Sequence, residues 1–168
     1  VLARAWIAQA AAAAAALPLA AFRAALDRLG PDPVLLAQAL DSRVPAVMRR
    51  LATLPEAPEG LVICDASGAL LLRKPVEGFL LPRYGAACPL WNVHRAFEAP
   101  GQINRQLAET PDGVRYLCLS MQVTRGGRGF RGAQQHYALA LGCEISYADN
   151  FVYADGMDLA NRQAFDPI

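Results

Sequence analysis

The sequence predicts an α+β protein: an N-terminal helical module followed by an antiparallel sheet with short flanking helices. Three observations predict it. Up to about residue 54, apolar residues recur at helical spacing on an alanine-rich background. From Leu61 the pattern changes to short apolar runs separated by Gly- and Asp-containing turns. Finally, 168 residues with 54 % hydrophobic and 18 % charged residues can bury a core, which excludes a disordered chain.

Leu2–Leu17 is dominated by alanine, the strongest helix former. Pro18 breaks it and opens the next helix, Leu19–Leu29, where Phe22, Ala25, Leu26 and Leu29 share one face. Gly30 is the expected C-cap. Two short helices follow, about Pro33–Leu40 and Pro45–Leu54, the first capped by Asp32. With the turn Asp41–Val44 they have the size of a helix-turn-helix, with Leu36, Ala37, Leu40, Val44, Val47 and Leu51 as the inner seam. In that reading Arg43, Arg49 and Arg50 face DNA phosphates; a plain helical packing module fits equally well. Residues 55–60, with two Pro, two Glu and a Gly, read as a linker between residues 1–54 and 61–168.

Leu61–Cys64 and Ala69–Arg73 flank the turn Asp65–Gly68 and predict a hairpin. A loop leads to a short helix at about Leu90–Phe97. Gly101–Glu109 and Val114–Thr124 predict strands on either side of Pro111-Asp-Gly113, and His136–Cys143 predicts a fifth. Ile145–Tyr153 is read as a helix stopping near Asp155-Gly156. Hairpin, short helix and three-strand meander is the layout of a PAS- or GAF-like sensor, a sheet curled around a small-molecule pocket.

Net charge is +1 overall, and it divides as +3 over residues 1–54 and −2 over the rest. This excludes a whole-protein electrostatic grip on nucleic acid and places any DNA contact in the first third. Cys64, Cys88, Cys118 and Cys143 have no C-x-x-C spacing, so no metal site or cofactor is expected. They read as reduced, cytoplasmic thiols. Ile7–Ala21 is apolar except for Gln9, but it is short and mostly alanine, so a packed helix is expected rather than a membrane span.

Two blocks are more specific than the layout. The first is Leu81-Pro-Arg-Tyr-Gly85 with Cys88-Pro-Leu-Trp-Asn-Val-His94. The second is Gly142-Cys-Glu144 with Val152-Tyr-Ala-Asp-Gly-Met-Asp-Leu159. In order and spacing they resemble the C-terminal domain of the short-chain fatty acyl-CoA regulators, over about residues 33–160 and most strongly over 79–159. The resemblance implies a bacterial regulator with an N-terminal helix-turn-helix, a middle region related to metallopeptidase-like segments, and a C-terminal sensor of acyl-CoA. Such regulators govern propionyl-CoA, glyoxylate-shunt and acetate metabolism. Here no separate DNA-binding domain precedes the match, His-Glu-x-x-His is absent, and the family's cysteine-rich tail is not reached. DNA contact through a domain outside this chain, and a homodimer reading two half-sites, are the implied partners.

The expected ligand site joins the two blocks. Arg83 and Arg105 are candidates to pair with the phosphates of an acyl-CoA, since guanidinium binds phosphate in bidentate fashion; Tyr84 adjoins Arg83. Trp91 is either pocket wall or core. Asn92 and His94 can bond a thioester carbonyl or an amide, or serve the fold alone. Cys88, Cys143 and Tyr153 complete the set. Arg125, Arg128 and Arg131 lie in a Gly-rich loop whose plainer reading is a solvated hairpin tip. Competing readings are a small acyl-CoA thioesterase or transferase using Cys88 and His94, and an interaction module with no ligand. The favoured expectation is a sensor without catalysis.

Overall fold

The computed structural model describes residues 2–55, 57–75, 87–127 and 132–168. Four helices come first: α1 (Leu2–Ala16), α2 (Leu19–Leu29), α3 (Pro33–Ala39) and α4 (Val44–Ala52). Their boundaries follow local chemistry. Gly30 ends α2 at φ 69°, its N–H donating to the Leu26 carbonyl at 2.8 Å. Asp32 caps α3, its Oδ1 accepting the N–H groups of Val34 (2.7 Å) and Leu35 (3.1 Å).

The strands are β1 (Gly60–Asp65), β2 (Leu70–Lys74), β3 (Asn104–Glu109), β4 (Arg115–Gly126), β5 (Gln134–Glu144) and β6 (Asp166–Pro167). They form one sheet in the order β2-β1-β5-β4-β3-β6, antiparallel except for β3–β6. The β1–β2 turn is held by Asp65, whose Oδ1 accepts from the Ser67 and Ala69 N–H groups and the Ser67 hydroxyl. The predicted hairpin and meander are present. β6 was not predicted: two residues, one of them proline, leave no alternation to read.

The helical segments after β5 and before β3 differ from expectation. Ile145–Asn150 and Val152–Ala154 are short 3-10 turns rather than one α-helix. Leu90–Phe97 is a series of turns ending in a single 3-10 turn, Arg95–Phe97. Trp91, Asn92 and Val93 are consecutive and all buried, which one face of a helix does not allow.

Both faces of the sheet are covered. On one face Leu117, Leu119, Met121, Leu139, Leu141, Leu61 and Ile63 pack in one core with Phe22 of α2, Leu36 of α3, and Val47, Met48 and Leu51 of α4. The helices and the sheet thus share this core across residues 55–60. On the other face, Val62, Cys64, Tyr116, Cys118, Ala138 and Ala140 pack with Ala87, Trp91, Val93 and Ala96. Side-chain alternation along β4 produces the two sets. Among the described residues, no single helix is long and apolar enough to cross a membrane.

Candidate functional site

The described residues of the two sequence blocks pack into different cores. Trp91 belongs to the core on one side, Cys143 to the core on the other, with Tyr153 packed against it. Sequence order brought them close, but the sheet runs between them.

On the Trp91 face the residues form a buried polar network. The Asn92 N–H donates to Gln106 Oε1 at 2.8 Å, and Asn92 Nδ2 donates to the carbonyls of Cys118 (3.1 Å) and Asn104 (3.3 Å). The Ser120 hydroxyl donates to the Asn92 carbonyl at 2.9 Å. Gln106 Nε2 donates to the Leu90 carbonyl and to Asp166 Oδ2, both at 2.8 Å. Trp91 packs in the same core as Cys118. Asn92 is 1 % exposed and Trp91 5 %. This chemistry fixes the 88–97 segment to β3, β4 and the chain end; buried polar groups that find partners specify one arrangement of the core. Gln106 and Ser120, which do this with Asn92, were missed because they stand in strands that read as ordinary alternation. His94 Nε2 lies 3.4 Å from the Ala87 carbonyl, and Cys88 is half-buried.

Arg105 projects to the other face, where one terminal nitrogen donates to the carbonyls of Tyr153 (3.0 Å) and Asp155 (2.8 Å). It ties β3 to the 3-10 turn Val152–Ala154. Arg105→Ala is expected to cost about 1 kcal/mol, with faster amide exchange confined to residues 152–157. Gly142, in the same block as Cys143, has a packing reason: a Cβ there would sit 3.3 Å from the Leu117 carbonyl and 3.4 Å from the Cys118 sulfur. Arg83 and Tyr84, with Arg128 and Arg131, lie outside the described residues.

Of the three arginines assigned to DNA, only Arg43 is exposed. Arg50 is 9 % exposed and Arg49 half-buried. α4 packs on α1, α3, β1 and β5, and five of its nine residues are buried. A recognition helix needs an open side to enter a groove.

All four cysteines are free. Burial raises the Cys64 thiol to about 11, Cys118 to about 11 and Cys143 to about 12, from an ordinary 9.0. The native protein is therefore expected to give one prompt equivalent with a thiol-reactive disulfide at pH 8, from Cys88, and three more only on unfolding. The same shifts set a pH dependence. Thiols protonated in the fold but ionised in the unfolded chain weaken stability as pH rises from about 9 to 12. A denaturation midpoint flat across that window contradicts this.

One cleft opens between the helices and the edge of the sheet. It has a volume of about 530 Å³ including its open mouth, and is lined by Ala10 and Ala13 of α1, Arg49 of α4, Thr53, Leu61 and Ile63 of β1, and Leu72 and Lys74 of β2. Lys74 Nζ donates to the carbonyls of Glu59 (2.7 Å) and Ala57 (3.2 Å). Burial raises the pKa of the Glu59 carboxyl, which is 6 % exposed, and lowers that of Lys74. Among the described residues, no group of three or more metal-binding side chains converges.

Comparison with known proteins gives a consistent picture. Residues 53–168 match the model of the family described as short-chain fatty acyl coenzyme A regulator, C-terminal. The chain is 44 % identical over 162 residues to a propionyl-CoA carboxylase regulator of Cereibacter sphaeroides, covering 94 % of this chain and 35 % of that protein. It is 33 % identical over 157 residues to the HTH-type transcriptional regulator PrpR of Mycobacterium tuberculosis, covering 90 % and 32 %. A solved Mycobacterium tuberculosis transcriptional regulator superposes with a TM-score of 0.83 at 32 % identity, covering 93 % of this chain and 49 % of that one. The chain thus spans about a third of the length of the curated relatives it matches.

Proposed function

Because the chain belongs to the short-chain fatty acyl-CoA regulator family, we propose that it is the effector-binding part of a transcription regulator responding to a short-chain acyl-CoA. The observation that carries this reading is the family match, which spans every strand of the sheet and the covering layer on its Trp91 face. The relatives' titles as regulators, one of propionyl-CoA carboxylase, favour control of propionate or acetate metabolism. The five antiparallel strands, joined as hairpin, crossover and meander, support a sensor of the PAS- or GAF-like type. In this reading DNA is met by a helix-turn-helix outside this chain, since α4 is committed to the core. The regulator works in the cytoplasm as a homodimer, and effector binding shifts the balance between dimer arrangements of different DNA affinity.

The role is binding rather than turnover. Propionyl-CoA incubated with the chain is expected to be recovered uncleaved, and Cys88→Ala to bind it within twofold of wild type. Hydrolysis lost on Cys88→Ala would instead establish a thioesterase. Thermal shift with acetyl-, propionyl- and butyryl-CoA tests the reading itself. At about a hundred times Kd, binding adds about 2.7 kcal/mol, worth roughly 5–10 °C for a chain of this size. No shift with any of the three removes the proposal.

A further inference from the structure

Arg49 is the anomaly of the cleft. Its Nε is enclosed by protein, and among the described residues it has no hydrogen-bond partner and no pairing carboxylate. Burial lowers its pKa, and the charge of a second cation, Arg125, lowers it further. Residues 117, 119, 121 and 123 of β4 face the helices, and Arg125 continues that row opposite Gln135. Cross-strand pairing of Leu61 with Lys74 and of Ile63 with Leu72 places the floor of the cleft on the same face.

A half-buried guanidinium beside a second cation, without a carboxylate, destabilises the empty protein. Such an arrangement is favourable once an anion occupies it, and guanidinium suits phosphate better than any other side chain. Lys74 cannot substitute, because its ammonium already serves two carbonyls. Behind Arg49 the walls are apolar and small: Ala10, Ala13, Leu61, Ile63 and Leu72. Bulkier residues at 10 and 13 would fill the space.

We propose that the cleft between α1, α4 and the β1–β2 edge is a ligand site, in which Arg49 grips a phosphate group and the apolar walls hold a short acyl chain. The site stands on this geometry; that its ligand is an acyl-CoA rests on the effector reading above. It differs from the Trp91–Asn92–His94 block, where the Asn92 N–H, Nδ2 and carbonyl are bonded to Gln106, Cys118, Asn104 and Ser120 within the core.

The test uses the chain with propionyl-CoA and, separately, inorganic pyrophosphate, measured by calorimetry on wild type and Arg49→Met. Methionine keeps an apolar stem and removes the charge. The expected result is propionyl-CoA affinity at least about tenfold weaker in the variant, with an unliganded melting temperature equal to or above wild type because the unpaired charge is gone. The raised or equal stability separates a ligand-binding role from a structural one. Equal propionyl-CoA affinity in both proteins would overturn the site while leaving the effector reading intact. If wild type binds no propionyl-CoA, the effector reading fails, and pyrophosphate binding lost in Arg49→Met still establishes the anion site. No binding of either probe overturns both.

Discussion

Replacing Gln106 with leucine is expected to destabilise the protein by about 3 kcal/mol, a drop in melting temperature of roughly 6–12 °C. Leucine matches the volume well enough that packing is nearly kept. What is lost is the three amide hydrogen bonds that hold three separate pieces of chain. Gln106 accepts the Asn92 N–H and donates to the Leu90 carbonyl and to Asp166. After substitution the Asn92 N–H is left buried without a partner, and an orphaned buried donor costs more than the bond was worth. The loss should localise: amide exchange rises at 90–93 and at 166–168, while β1 and β5 keep their protection. Urea denaturation of the two proteins checks the magnitude. A change below about 1 kcal/mol would show that water or a shifted side chain satisfies Asn92.

The larger effect is expected from Phe22→Ala. Phe22 is fully buried and joins α2 to the core formed by the sheet and the other helices. Truncating such a ring removes its transfer energy and leaves a cavity, together about 3–5 kcal/mol. Because α2, α3, α4 and the sheet contribute to one cluster, unfolding should remain a single transition monitored alike by far-ultraviolet circular dichroism and tryptophan fluorescence. Two separated transitions, with the helical signal lost first, would mean that residues 1–54 and 61–168 fold independently.

The contrast between these positions describes what the sequence can disclose. The helix ends were legible, because Pro18, Gly30 and Asp32 each act on the backbone within a few residues. The hairpin at Asp65–Gly68 and the long β4–β5 ladder were legible for the same reason. The inner seam of α3 and α4 was also readable, yet its surroundings were not. Periodicity places Val47 and Leu51 inward, but says nothing of what covers the other side of α4, and Arg50 looked like a surface residue until the core closed around it. The surroundings of the candidate site were hidden at the same step. Cys88–His94 and Gly142–Tyr153 are recognisable blocks, and the strand alternation that sends Cys143 to one face and Cys118 to the other is visible. Which face each block packs against depends on the path of the chain through the crossover, and no local pattern records it. Arg49 was singled out for its charge, in the expectation of an exposed phosphate contact. Its partial burial in the cleft beside α1 and β2 is a tertiary fact that no local pattern records.

A sensor of this kind must itself bind a short-chain acyl-CoA. Isothermal titration of wild-type chain with propionyl-CoA, set beside CoA carrying no acyl group, tests that most directly. The predicted result is one saturable site per chain, with propionyl-CoA bound more tightly than CoA by several-fold, since each buried methylene contributes about 0.8 kcal/mol. A titration without heat or saturation at millimolar propionyl-CoA, on protein that melts cooperatively, would contradict it.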